Sequence, residues 1–289
     1  MNVSIVIPAY NEEQSIGPLL KELHDCLSRD VPDLDYEVVV VDDGSQDKTG
    51  EVVSEIPGVR LIRHRINMGY GAALKSGIRG SSGEIIVTID ADGQHNPKDI
   101  GRLLQTIGGH DIVIGARTQH QNPLWRRPGK WLLGWLANYL AGEKIPDLNC
   151  GLRAVNREVV TKYLHLCPNR FSFSTTLTVA LSCGGYRVGY VPIDVNRRSP
   201  RTRSTVNIRT GLETLLLMVR LIALFGPLKL FLPLSFVFIL FGVVWGGHYV
   251  ILGKGLSIAG LFFFLAGILL FFFGVLTDQI AALRKEKYE

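Results

Sequence analysis

Two carboxylates separated by one residue stand in the segment Thr88-Ile89-Asp90-Ala91-Asp92-Gly93-Gln94-His95. The segment closes an apolar run, 85–89, that reads as a strand. Beyond a strand end the backbone bends, so Asp90 and Asp92 can converge on one cation. Oxygen ligands of this kind, together with a diphosphate, suit Mg²⁺ or Mn²⁺. Asp-Gly is also a common turn former, and taken alone the segment reads equally well as a turn. Two more polar loops follow strand-like runs: Asp42-Asp43-Gly44-Ser45 after 38–41, and Pro8-Ala9-Tyr10-Asn11-Glu12 after the first. Each alone could be a helix cap or a turn. Three such strand ends together make a pocket able to hold a nucleoside and a metal-bound diphosphate.

A second kind of chemistry lies further on. Residues 115–131 contain Arg117, Arg126, Arg127 and Lys130 with no acid among them. Such a cluster reads as a solvated face, as a patch for phospholipid headgroups, or as a binding site for a phosphate, whose oxygens match arginine forks bidentately. A basic loop, Arg197 to Arg203, lies close before the apolar C-terminus.

The elements that must position these residues alternate along the chain. Runs at 3–7, 37–41, 59–62, 84–89 and 111–114 are rich in Val and Ile and mostly lack two-residue alternation. Strands buried on both faces look like this. Helical stretches at 12–27, 48–54, 71–79 and 97–106 separate them, the last with Asn96 as cap and Pro97 in its first turn. This pattern predicts a doubly wound α/β domain with a mostly parallel sheet, whose ligands bind at the carboxyl ends of the strands. Residues 116–205 are less regular, with a helix expected over 125–141 and a strand over 187–191.

The 289 residues carry a net charge of +5 and are 47% hydrophobic, which excludes a disordered or collagen-like chain. The apolar excess sits at the C-terminus. Residues 230–252 and 255–277 contain no Asp, Glu, Lys or Arg, and each as a helix reaches ~35 Å, enough to cross a bilayer core of about 30 Å. Only Gly253-Lys254 separates them, so they form a tight hairpin with both ends on one side. Between 195 and 229 seven basic residues face one acid, Glu213, whereas the connecting turn has only Lys254. Positive-inside bias places both termini in the cytoplasm. The expected organisation is a cytoplasmic catalytic domain over 1–205, an interfacial helix within 206–227, and a hairpin with a cytoplasmic tail over 228–289. The opening residues lack the basic-then-apolar order of a secretory signal. Cys26, Cys150, Cys167 and Cys183 show no metal spacing and read as reduced structural thiols.

The motifs VSIVIPAYNEE, VVVVDDGSQDKT, NMGYGAAL, IDADGQHNP, GAR and DLNCGLRAVNRE, in that order, cover roughly residues 3–204. The set resembles the family 2 glycosyltransferases with the GT-A fold, and more narrowly the dolichyl- and polyprenyl-phosphate sugar synthases, dolichyl-phosphate mannose synthase among them. The two-helix hairpin is similar to that of their membrane-anchored members. The resemblance implies that Pro8, Tyr10, Glu12, Asp42 and Asp90 serve the donor nucleotide, and that Asp90, Asp92 and Gln94 bind Mg²⁺ or Mn²⁺. It implies that Arg117, Arg126, Arg127 and Arg203 grip the acceptor phosphate, and that Asp147 stands near the acceptor. Asp92 and Asp147 are the catalytic candidates. Tyr70 stands where many relatives carry a basic residue.

The expected reaction moves a hexose from GDP-mannose, UDP-glucose or UDP-N-acetylglucosamine to a dolichyl or undecaprenyl monophosphate, with inversion. Two other readings compete with it. A transferase with a hydroxyl acceptor needs an obvious general base, and its processive members typically carry a Q-x-x-R-W-type motif not found here. A non-enzymatic membrane-anchored nucleotide binder is expected to lack Asp90, Asp92 or Gln94, and all three are present. The expected setting is the plasma or inner membrane, with a nucleotide sugar and a lipid phosphate as partners and no nucleic acid. Homo-oligomerisation is left open.

Overall fold

The computed structural model describes residues 2–118, 127–170, 172–195 and 208–286. They fold as two compact units, Met1–Val206 and Asn207–Glu289.

The first unit is built on one seven-stranded sheet. Its strands are β1 (Asn2–Ala9), β2 (Asp35–Asp42), β3 (Val59–Arg63), β4 (Ile85–Thr88), β5 (Ile112–Arg117), β6 (Arg153–Asn156) and β7 (Val188–Ile193), in the order β3-β2-β1-β4-β6-β5-β7. β1 pairs in parallel with β2 and β4, β2 with β3, and β5 with β7. β6 runs antiparallel between β4 and β5. The sheet is therefore mostly parallel, as the buried Val and Ile runs predict.

Val3, Ile5, Val6 and Ile7 on β1 are fully buried, as are Val39, Val40 and Val41 on β2. Each such side chain contributes about 1.5–3 kcal/mol by leaving water. The helices that cover the sheet are α1 (Ile16–Asp30), α2 (Thr49–Ser54), α3 (Tyr70–Gly80), α4 (Asp99–Ile107), α5 (Arg127–Ala141), α6 (Arg157–Tyr163) and α7 (Phe173–Cys183). On α1 the residues Ile16, Leu19, Leu20, Leu23 and Leu27 turn inward at helical spacing.

Two expected helix starts move. Residues 12–15 form a turn, with Ser15 N donating to the Glu12 carbonyl, so α1 begins at Ile16. Asn96 does cap, its Oδ1 accepting the Lys98 amide at 3.0 Å, but α4 begins only at Asp99. β6 was not expected. Its four residues, Arg-Ala-Val-Asn, have neither an apolar run nor alternation, and Arg153 at its head is buried to 1% exposure. That guanidinium donates to the carbonyls of Cys150 and Ser174 and to Thr178 Oγ1, so tertiary hydrogen bonds rather than local propensity hold the strand.

The second unit holds α8 (Ile208–Phe225), α9 (Pro227–Ile251) and α10 (Ile258–Glu286). α9 and α10 are long and apolar enough to cross a membrane. They pack closely: a Cβ on Gly260 would stand 2.8 Å from Gly246 Cα, and the Phe241 and Phe263 rings meet edge-on at 4.7 Å. Ser235 Oγ donates to the Gly267 carbonyl at 2.8 Å across the pair. Small residues and one polar bond at the contact are what helix association in lipid favours.

Candidate active site

The carboxyl ends of β1 and β2 carry the first two polar loops, and the structure laces them together. Asn11 N donates to Ser45 Oγ at 3.0 Å, and Gln46 N to Asn11 Oδ1 at 2.8 Å. Glu12 N donates to Thr49 Oγ1, and Glu13 and Asp47 exchange contacts with the opposite backbone. Asn11 holds a left-handed conformation at φ 56°, which Asn tolerates better than most side chains. The Glu12 carboxylate accepts Ser15 Oγ at 2.5 Å.

Of the adjacent acids at the end of β2, both are buried and their partners differ. Asp42 accepts the Ser45 amide at 2.9 Å, with Arg63 Nε at 3.6 Å. Asp43 accepts His64 Nδ1 at 2.7 Å and the amides of Met68 and Gly69 at 2.9 and 2.7 Å. Asp43 thereby ties the 67–70 loop to β2. A cavity of ≈ 370 Å³ opens here, lined by Pro8, Tyr10, Asn67, Tyr70 and Arg170 among others, with Asp43 in its wall. Pro8 and Tyr10, expected at the donor nucleotide, both line this cavity. Asp43 and Arg170 were not singled out. Arg170 gave no local signal, since it sits in the 164–170 segment, a hundred residues beyond the loop it meets.

At the end of β4, Asp90 is clasped from both sides. Tyr70 Oη donates to its Oδ1 at 2.7 Å, and His95 Nε2 lies 3.5 Å from its Oδ2. Burial pushes the Asp90 carboxyl up. The His95 and Tyr70 contacts and the buried Arg153 charge outweigh this and hold it below the ordinary carboxylate range. Burial and the Asp90 charge push the Tyr70 phenol well above its ordinary value, so it stays a neutral donor at physiological pH. Gly151 lies flush on the same carboxylate; a Cβ there would come within 2.1 Å of Asp90 Oδ2. Asp92 accepts the Gln94 amide at 3.1 Å, which folds the Asp92–Gln94 turn back beside it. Asp92 and Gln94 thus share one turn directly after Asp90, whose carboxylate faces Tyr70 and His95. Among the described residues no group of three or more His, Cys, Asp or Glu is gathered as a metal site.

The end of β5 carries Arg117, whose guanidinium forks onto Asp147. Nε donates to Oδ2 at 2.6 Å and Nη2 to Oδ1 at 2.9 Å. The amides of Asn149 and Arg117 also donate to Asp147, at 3.0 and 3.4 Å. Burial raises the Asp147 carboxyl, but these bonds and the Arg117 charge lower it further, so its net shift is downward. Two residues assigned separate roles from sequence are therefore one ion pair. Arg127 begins α5 and is described in its backbone only, while Arg126 and Arg203 lie outside the described residues. Burial pushes the Cys150 and Cys167 thiols up to about 12, so both are inert packing groups.

Known proteins are similar to this chain in sequence and in fold. An undecaprenyl-phosphate 4-deoxy-4-formamido-L-arabinose transferase of Pseudomonas aeruginosa (strain LESB58) is 32% identical over 279 residues, which are 91% of this chain and 80% of that protein. An uncharacterized protein of Methanocaldococcus jannaschii is 33% identical over 228 residues, 75% of this chain and 90% of its own. Against the like-named transferase of Edwardsiella ictaluri the match spans about half the relative's length, 54%. The glucosyl-3-phosphoglycerate synthase of Mycobacterium tuberculosis, solved with Mn²⁺, UDP and phosphoglyceric acid, shares the fold with a TM-score of 0.60 over 78% of each chain at 22% identity. Residues 226–283 match the GtrB C-terminal hairpin. Residues 4–164, which hold every strand end described above except that of β7, match the family described as Glycosyl transferase family 2, and the chain belongs to that family.

Proposed function

We propose that the chain transfers a hexose from a nucleotide sugar to a polyprenyl monophosphate and releases a nucleoside diphosphate. The observation that carries this reading is the union, in one chain, of a family 2 transferase site with a membrane hairpin. The same union aligns with a relative named for transfer to undecaprenyl phosphate.

In this reading Pro8 and Tyr10 bound the nucleoside, with Glu12 and Asp42 bracing the loops behind them. Asp90, Asp92 and Gln94 all carry hard oxygen donors. Mg²⁺ is characteristically bound by one or two carboxylates completed by substrate phosphates, so a carboxylate pair without a third acid fits. Solved neighbours hold Mn²⁺ or Mg²⁺. Such an ion supplies Lewis-acid neutralisation of the departing diphosphate. Tyr70 and His95 keep Asp90 ionised and oriented for that role.

The acceptor phosphate attacks the anomeric carbon opposite the leaving group, so configuration inverts. Its second pKa is about 6, so it is an anionic nucleophile at pH 7 without a strong base. Asp147 fits this chemistry as a positioning residue. Its oxygens are filled by Arg117 and two amides, leaving it poorly placed to take a proton. Arg117, aimed by Asp147, retains Nη1 for a phosphate oxygen, and Arg126, Arg127 and Arg203 add positive charge for the same group. The hairpin anchors the enzyme in the inner membrane with both termini cytoplasmic and α8 in the interface.

The test is a panel of GDP- and UDP-sugars with undecaprenyl phosphate, Mg²⁺ or Mn²⁺, and the purified full chain. One donor is expected to give a lipid-phosphate sugar, and neutral polyprenol none. Glycosylation of polyprenol as well as its phosphate replaces this reading with the hydroxyl-acceptor one. Terminal tags at residues 1 and 289 are expected to resist protease applied outside intact cells; cleavage of either overturns the orientation.

A further inference from the structure

The cavity beside Tyr10 has a charge problem that its own helix does not solve. A nucleoside diphosphate brings at least two negative charges. The amides that open α3 point at the cavity end of the helix, where an anion is ordinarily received. Here they are largely taken. Ala72 N donates to the Asn169 carbonyl at 2.7 Å and to Gly69 O at 2.9 Å, and Gly71 N to the Arg170 carbonyl at 3.3 Å. The approach is so close that a Cβ on Gly71 would come 2.1 Å from the Pro168 carbonyl oxygen. The Tyr70 hydroxyl is committed to Asp90, which it meets at 2.7 Å. Asp43 is an acid already saturated by His64 and two amides.

Among the described residues lining the cavity, Arg170 is the single cation. Its side chain is exposed, and among the described residues no carboxylate lies within ion-pair distance of it. Its backbone is fixed, because the 168–170 segment is clamped to the start of α3 and Lys75 Nζ donates to Asn169 Oδ1 at 2.8 Å. An arginine with an unspent planar fork on a fixed backbone is a phosphate ligand in waiting.

We propose that Arg170 binds the diphosphate of the nucleotide donor, supplying from the 164–170 segment the charge that the 67–70 loop lacks. The inference rests on the nucleotide-sugar reading above and adds a residue that neither motif spacing nor family resemblance assigns. It commits to the donor diphosphate rather than the lipid phosphate because the same cavity wall holds Pro8 and Tyr10.

The experiment is calorimetric titration of the full chain in detergent, with Mg²⁺, against UDP and GDP and against uridine and guanosine. The variants are Arg170→Ala, Arg170→Gln and Arg170→Lys, each checked for an unchanged melting profile. Loss of a charge-assisted bidentate contact is expected to weaken the preferred nucleoside diphosphate about 10- to 100-fold in Ala and Gln. The matching nucleoside is expected to bind as to wild type, and Lys to recover part of the loss. In the transfer assay KM for the nucleotide sugar rises while KM for undecaprenyl phosphate stays put. Equal weakening of nucleoside and diphosphate, no weakening in any variant, or a rise confined to the lipid KM overturns the assignment. A wild-type chain that binds neither UDP nor GDP overturns the nucleotide-sugar reading itself, which is a separate and distinguishable result.

Discussion

The two units spend the same residue types on opposite faces. In the sheet unit Val3, Ile5 and Ile7 point into a dry core and are fully buried. In the hairpin Phe236, Val244 and Phe262 point outward at 65%, 64% and 64% exposure. The sheet unit hides short apolar strands and turns polar loops to its rim, so its chemistry gathers where strands end. Among the described residues of the hairpin, the contact between α9 and α10 is made by glycines, by rings such as Phe241 and Phe263, and by the Ser235 bond, with no polar face to gather chemistry. Hydrophobicity alone therefore does not say where a side chain points; the solvent outside each unit does.

The sharpest break between the units is chemical. Asp92→Asn removes one of two carboxylates from the turn after β4, and transfer is expected to fall at least about 100- to 1,000-fold, since a metal's contribution amounts to several kcal/mol. Excess EDTA is expected to do the same, reversed by Mg²⁺ or Mn²⁺; full activity in EDTA sinks the metal assignment. Next in size comes a matched pair of glycine replacements. Gly151→Ala drives a methyl into the Asp90 carboxylate, so transfer is expected to drop at least about tenfold with little loss of fold. Gly260→Leu wedges α9 from α10, and is expected to loosen the hairpin while UDP or GDP binding by the sheet unit is unchanged. If Gly260→Leu instead abolishes nucleotide binding, the two units are not energetically separate.

A pH series sharpens the same contrast. The Asp147 carboxyl is lowered by its bonds to Arg117, so its contribution is fully present above the unfolded carboxylate pKa of about 4 and is lost as pH falls through the lower folded value. Arg117 is about a third exposed, so the pair is discounted from the buried limit to about 1–3 kcal/mol. Asp147→Asn is expected to lower the melting temperature of the sheet unit by about 2–12 °C at pH 7 and to flatten its decline between pH 5 and 3. An identical acid limb in wild type and variant rules the pair out as its cause. The hairpin spans have no carboxylate before Asp278 and should show no such limb.

How far these features were legible follows from their range. The strands with long Val and Ile runs and the two spans announce themselves locally, and the turn of Asp90 and Asp92 does so by spacing. β6 does not, because its stability lies in Arg153 reaching carbonyls on other segments. The Tyr70–Asp90 bond spans 20 residues, the Arg117–Asp147 fork 30, and the approach of Arg170 to Gly71 about a hundred. No periodicity records such pairs. Asp90, Arg117 and Asp147 each looked like an independent candidate and Arg170 like none, and only the fold shows which residues neutralise one another. Asp42 and Asp43 are the clearest example. They are adjacent and chemically identical, yet only Asp43 meets the amides of the loop across from it.

The smallest effect is the most direct comparison, because one bond type occurs in both units. Thr88 Oγ1 donates to the Gly151 carbonyl at 2.6 Å in the buried end of β4. Ser235 Oγ donates to the Gly267 carbonyl at 2.8 Å between the spans. In the sheet unit the unfolded reference is water, which would satisfy both groups, and losing the donor strands a buried carbonyl. Thr88→Ser, which keeps the hydroxyl, separates packing from hydrogen bonding; relative to it Thr88→Ala is expected to cost about 1–3 kcal/mol in denaturant unfolding. In the hairpin the unfolded reference is a helix still in lipid, where the Gly267 carbonyl keeps its own helical partner. Ser235→Ala is therefore expected to cost only about 0.6 kcal/mol in a reversible unfolding assay in micelles. If Ser235→Ala costs as much as the Thr88 pair, the hairpin is held by its polar bond rather than by close packing. Gly260→Leu and Ser235→Ala should then be equally damaging, where the packing account makes the glycine much the worse.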